Sequence, residues 1–266
     1  MSVNTKAYAR FSLAYFCFFL FLGGIISFWP LWLSEQGFNE RQIGVLIAVS
    51  MSTKLIAPSF WGWLADRMGR HLHVLQGCAV LGTLCFCLVF VRTDFWFLFV
   101  ALFLFSFFWD AVMPQIEVLT LAKLEQNQDE SNYTLVRLWG SVSFILVVLG
   151  LGLLFDYVSI NTLPYFLLAF LCVFIASSVY LPNVTVEKNI QQSPDVFSVL
   201  KRPDVIGFLL VCALLQISHG PYYTWFSVYL KDLGYSLSAI GVLWTLSVIA
   251  EIVLFVFMRQ LYKYVR

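Results

Sequence analysis

Apolar residues run through this chain in blocks of about twenty, the length of helix that crosses a bilayer. Eight blocks stand out, at 11-33, 42-64, 72-91, 95-121, 137-155, 162-181, 205-230 and 238-258. Short polar breaks separate them, and only 122-134 and 182-204 are longer. The pattern predicts an all-α polytopic membrane protein with about eight transmembrane helices. The first block follows Lys6 and Arg10 and so begins like a secretory signal. It is too long for one and has no small-residue cleavage site, so it reads as a retained first span.

Basic residues set the orientation. With the N-terminus in the cytoplasm, Lys6, Arg10, Arg67, Arg70, Lys123, Arg137, Lys188, Lys201, Arg202, Arg259, Lys263 and Arg266 fall on that side or at its boundary. Only Arg41, Arg92 and Lys231 fall opposite. Twelve against three follows the positive-inside tendency and places both termini in the cytoplasm.

The chain also repeats itself. Trp32-Leu33-Ser34-Glu35-Gln36-Gly37-Phe38 precedes Ile43-Gly44-Val45-Leu46, and Tyr229-Leu230-Lys231-Asp232-Leu233-Gly234-Tyr235 precedes Ile240-Gly241-Val242-Leu243. Matching positions are 197 residues apart throughout. Spans 7 and 8 therefore repeat spans 1 and 2 in the same orientation, as in transporters built from parallel repeats. Three units follow: a six-helix half over 1-181, a cytoplasmic linker over 182-204, and the start of a second half over 205-266.

Composition narrows the class. Hydrophobic residues make up 61% of the 266 positions and charged residues only 12%, which excludes a soluble domain. A net charge of +1 argues against nucleic acid as a partner. The six cysteines all lie inside apolar blocks and read as small core residues, with no metal-ligand spacing. No Gly-rich phosphate loop, H-E-x-x-H or nucleophile elbow is present, so an enzyme is not indicated. No cofactor is implied.

Ionisable residues inside the apolar blocks carry the chemistry, because a charge in the bilayer costs a few kcal/mol. Lys54 lies ~18 Å into span 2. His219 and Glu251 lie ~20 Å into spans 7 and 8. Lys54 and Glu251 occupy matching repeat positions and carry opposite charges. On span 4, Asp110 and Glu117 share one helix face, with Pro114 between them. Pro114 cannot donate to the Asp110 carbonyl, so a bend is expected there. Arg137 opens span 5 from the same side as Glu117, and the two are expected to meet. Each charge has a blander reading, as a buried structural ion pair, a membrane-edge anchor or a hydrogen-bonded core histidine.

One further stretch is dense in polar signals. Gly62-Trp63-Leu64-Ala65-Asp66-Arg67-Met68-Gly69-Arg70 packs two glycines, an acid and two arginines between spans 2 and 3. A basic turn explains Arg67 and Arg70 but not Asp66, which needs a partner. The order G-x-L-A-D-R-x-G-R resembles the signature loop of the major facilitator superfamily. The resemblance implies that fold, with Gly62, Asp66, Arg67, Gly69 and Arg70 forming a cytoplasmic gating loop. Gln115-Ile116-Glu117-Val118 and Arg137-Leu138-Trp139-Gly140-Ser141 resemble spans 4 and 5 of the lactose permease group, with a slightly longer loop between them. That resemblance implies a substrate-binding pair in Glu117 and Arg137. The segments Leu214-Leu215-Gln216, His219, Tyr222-Tyr223 and Ala250-Glu251 are similar to the bacterial 3-phenylpropionate permease subfamily.

The resemblance implies a bacterial inner-membrane transporter importing a small aromatic carboxylate by proton symport. Lys54, Glu117, Arg137 and His219 would bind substrate, and Glu251 and Asp110 would carry the proton. A sugar or nucleoside symporter of the same fold is the alternative, and a non-transporting membrane protein is another. The second half stops after span 8, where Lys263 stands in the place of Asp66. A complementing C-terminal segment is therefore expected as a partner beside substrate, protons and lipid, and Asp66 is expected to lack its usual partner.

Overall fold

The computed structural model describes residues 3–127, 132–186 and 201–261. Most of the expected linker, residues 187–200, and the repeat position Lys263 lie outside the described residues. The described chain is helical. Its α-helices are α1 (Val3–Glu35), α2 (Glu40–Ser52), α3 (Ala57–Met68), α4 (His71–Phe86), α5 (Phe95–Trp109), α6 (Val112–Gln126), α7 (Tyr133–Phe155), α8 (Leu163–Val179), α9 (Pro203–Asp232) and α10 (Leu237–Leu261). Among the described residues, seven stretches are long and apolar enough to cross a membrane, and Leu237–Val253 forms a shorter apolar helix.

Two of the spans are broken. The second comprises α2, a 3-10 turn at Thr53–Leu55, and α3. The fourth comprises α5 and α6 with Asp110 and Ala111 between them. Each break has the same cause. Pro58 has no N–H to give the carbonyl of Lys54, and Pro114 has none to give that of Asp110. The bend expected at Pro114 is thus present, and its counterpart at Pro58 is an addition.

α1 forms the core of the packing, against α7 and α8. Phe11, Tyr15, Phe21 and Phe28 are all buried on it. Trp109 at the end of α5 stacks on Phe18 of α1 at 5.0 Å. Such a helix, buried on several sides, has to be apolar all round.

The repeat is visible bond for bond. At the end of α1, Gln36 N donates to Trp32 O, Gly37 N to Ser34 O and Phe38 N to Leu33 O. At the end of α9, Leu233 N donates to Tyr229 O, Gly234 N to Lys231 O and Tyr235 N to Leu230 O. Gly37 and Gly234 have φ of 84° and 86°, a left-handed turn that glycine adopts without a Cβ penalty. The next helix is then capped at matching positions, by Asn39 on Gln42 N and by Ser236 on Ala239 N.

The repeat mates differ in what covers them. A Cβ on Gly241 of α10 would stand 2.7 Å from the Val148 carbonyl oxygen of α7, and one on Gly152 of α7 only 2.8 Å from Leu237 O. The two helices therefore touch backbone to backbone, which small residues permit in membranes. Gly44, the mate of Gly241, has nothing within 4 Å of that position. Alanine should have opposite effects at the two sites. Gly241→Ala should lower the thermal midpoint in detergent, by crowding worth about 1–3 kcal/mol. Gly44→Ala should raise it, by up to about 1 kcal/mol of helix propensity. Equal shifts at both positions would contradict the packing described.

Candidate functional site

The two span breaks meet. The Thr53 hydroxyl lies 2.6 Å from Asp110 Oδ2, linking the break of the second span to that of the fourth. The same hydroxyl lies 2.7 Å from the Ser50 carbonyl oxygen. Thr53 is buried, with a relative exposure of 1%. Lys54 follows directly and acts on Asp110 through space, although the two form no direct ion pair.

Lys54 and Asp110 line one cavity of about 100 Å³. Its wall is otherwise mostly aliphatic and aromatic, from α1 (including Phe21 and Trp29), α2 and α5 (including Phe105 and Trp109), with Tyr223 of α9. Trp109 Nε1 is buried without a hydrogen-bond partner, so it is an unused donor beside the cavity. One cation, one carboxyl and apolar walls suit a small organic anion with a hydrophobic body.

Tyr223 joins the cavity to two further candidates. Its ring stacks on His219 at 5.8 Å. Glu251 of α10 acts on Tyr223 electrostatically. His219 itself is exposed and bonds through Nδ1 to the Leu215 carbonyl at 2.7 Å. Glu251 is exposed too. Of the repeat mates, Lys54 shares the cavity wall with Tyr223, and Glu251 acts on the same tyrosine electrostatically.

Glu117 and Arg137 are placed apart from this cavity lining. The ion pair expected between them is not formed. Arg137 lies instead over the rings of Tyr15 and Phe19, its Cζ 5.8 and 5.2 Å from their centroids. Its Nη1 is buried with no hydrogen-bond partner. Glu117 accepts a long 3.5 Å bond from the Tyr133 hydroxyl, and both residues act on Tyr15. The ring faces of α1 hold the guanidinium by cation–π attraction, which takes the place of the carboxylate.

The loop expected from Gly62 to Arg70 is shorter than the sequence implies. Gly62 to Met68 belong to α3, and only Gly69 and Arg70 connect it to α4. Gly69 ends the helix with φ 63°, and its N–H donates to Ala65 O. Arg67 stacks over Trp63 at 5.5 Å. Asp66 is expected to lack its usual partner from the second half; within the first half it is met by His71. His71 Nε2 lies 3.4 Å from Asp66 Oδ1, and Nδ1 lies 2.9 Å from Gln115 Oε1. Protonated, this buried imidazole donates to both. It ties the loop to α6, the helix that follows Asp110 and carries Glu117. Its position next to Arg70 was the only sequence signal for it.

At the opposite end, Asp156 caps α10 from outside. Asp156 Oδ1 accepts from Leu237 N at 2.8 Å and from Ser238 N at 3.3 Å. Bonds from Ser238, and then the positive end of the helix, hold this carboxyl below its usual range.

A family model described as the MFS_1 like family matches residues 8–265. The chain belongs to this family. Its fold agrees with the crystal structure of the nucleoside transporter NupG at a TM-score of 0.79 and 16% identity, over 97% of this chain and 68% of that one. It is 28% identical over 257 residues to a probable 3-phenylpropionic acid transporter of Escherichia coli K12, over 95% of this chain and 67% of the relative. It is 26% identical over 242 residues to the maltose permease of Geobacillus stearothermophilus, over 87% of this chain and 59% of the relative. The chain thus spans about two thirds of the length of these relatives. It is a multi-pass membrane protein of the major facilitator fold.

Proposed function

We propose that this chain forms the substrate-binding part of a secondary transporter that moves a small aromatic carboxylate together with a proton across a bacterial inner membrane. The observation that carries this reading is the shared placement of Lys54 and Asp110 at the two span breaks, facing one apolar cavity. Broken helices at mid-membrane are the usual setting of transporter sites. The similarity to a probable 3-phenylpropionic acid transporter suggests the aromatic acid.

Charge balance supplies the coupling. One ammonium serves two anions, the Asp110 carboxylate and the substrate. An empty site is neutral with Lys54 charged and Asp110 ionised. A loaded site is neutral only if Asp110 has taken a proton. Leaving a charge unpaired in this setting is costly, so anion and proton enter together. Uptake of labelled 3-phenylpropionate into vesicles carrying the protein should therefore follow an imposed pH gradient. An imposed membrane potential alone should not drive it. Uptake driven by potential alone would break the one-to-one scheme.

Arg137 and Glu117 form a second substrate contact in this reading, outside the cavity lining, and His219 borders the substrate through Tyr223. Glu251 is a reserve proton carrier. The halves are assigned as 1-181 and 205-266, joined by a cytoplasmic linker over 182-204 with both termini inside, and the loop from Gly62 to Arg70 gates the inner end. The maltose permease similarity favours a sugar as the second reading. The walls speak against it, because a sugar needs many hydrogen-bonding groups and this cavity is mostly apolar. Competition by maltose or a nucleoside, and not by aromatic acids, would reverse the choice.

A further inference from the structure

We infer that Thr53 is the positioning residue through which the protonation of Asp110 is transmitted to the second span. This deepens the proposed coupling at Asp110 and rests on that reading. A hydroxyl has one proton, and Thr53 Oγ1 faces two oxygens within bonding distance, Ser50 O at 2.7 Å and Asp110 Oδ2 at 2.6 Å. Both contacts are hydrogen bonds only if Asp110 supplies the second proton. As an acid, Asp110 donates to Thr53, and Thr53 donates to Ser50. As a carboxylate, Asp110 accepts the hydrogen bond that Thr53 donates, and the Ser50 carbonyl loses that bond. The proton on the fourth span therefore selects which bond closes in the second.

The location makes the exchange consequential. Thr53 begins the 3-10 turn that joins α2 to α3, where Pro58 has already removed a backbone bond from the carbonyl of Lys54. A turn with fewer backbone bonds is the part of a span that yields first. Lys54 lies in this same turn, directly after the residue whose bond changes. The titratable side chains facing Asp110 across the cavity are Lys54 of the second span and Tyr223 of α9. α1 adds only apolar side chains to that wall, and α4 adds none. Thr53 is thus the direct contact between the acid and the neighbouring span.

Infrared difference spectroscopy of the purified full chain in lipid, stepped in pH, tests the bond itself. The Asp110 carboxyl C=O band is the one that Asp110→Asn removes. It should shift in Thr53→Val, where the hydroxyl is lost at equal volume, and return to its place in Thr53→Ser. An unshifted band in Thr53→Val overturns the inference, and so does the absence of any Asp110 acid band. Transport provides the second readout. Thr53→Val should lower pH-driven uptake by about tenfold or more, the value of a hydrogen bond to a charged group, and leave substrate exchange nearly unchanged. Thr53→Ser should restore the pH profile. An equal loss of uptake and exchange would mark a merely structural residue and overturn the inference. A shifted band in a chain that takes up no aromatic acid would refute the transport reading and sustain the role of Thr53.

Discussion

Asp110→Asn abolishes proton-driven accumulation and leaves exchange of substrate across the membrane intact. The amide has the shape of the protonated acid and donates to Thr53 as the acid does. It holds the loaded charge state permanently. Lys54 then has no competing carboxylate, so the anion binds at least as tightly as in the unaltered protein. What is lost is the empty neutral state with Asp110 ionised, and with it the requirement that a proton accompany each anion. Concentration ratios should fall to equilibrium under a pH gradient, and counterflow rates should change little. Parallel uptake and counterflow assays in the same vesicles measure both. Undiminished accumulation would remove Asp110 from the coupling role and pass it to Glu251, the other membrane carboxyl near the cavity. Glu251→Gln would then be the variant that uncouples.

The spans were legible because apolar length is a physical requirement of the bilayer, and every polar break is visible in the chain. The repeat was legible for a different reason. Gly37 and Gly234 answer the same backbone demand, a positive φ that other residues resist, so the turn carried its signature in both copies. Lys54 and Asp110 stood out as charges in apolar surroundings. Their meeting at two breaks did not stand out. The signal is present in the spacing, since each lies four residues before a proline. Thr53 was hidden among Ser50, Ser52 and Thr53, three hydroxyls that a helix can bond to its own carbonyls. Sequence does not say which of them also reaches another span. Glu117 and Arg137 each act on Tyr15 of α1, yet they do not pair with one another. The rings of Tyr15 and Phe19 hold the guanidinium, and no pattern on spans 4 or 5 could announce them.

Lys54→Met lowers the affinity for an aromatic carboxylate by about tenfold to a hundredfold, the range for losing a charged hydrogen bond. The methionine keeps the length and apolar stem of lysine, so the cavity retains its shape. The loss should therefore depend on the charge of the ligand. The neutral amide of the same acid makes the same apolar contacts and needs no cation. Its binding should be nearly the same in the unaltered protein and in Lys54→Met, so the variant should cease to distinguish acid from amide. Lys54→Arg should recover part of the preference, since the charge is kept and only the reach is altered. Competition binding with the paired ligands measures this without requiring transport. A Lys54→Met protein that still prefers the acid by the original margin would mean that another cation meets the carboxylate. Arg137 is then the candidate, because its buried Nη1 has no partner. The site would move from the span breaks toward Tyr15 and Tyr133, and Arg137→Met would be the variant that erases the preference.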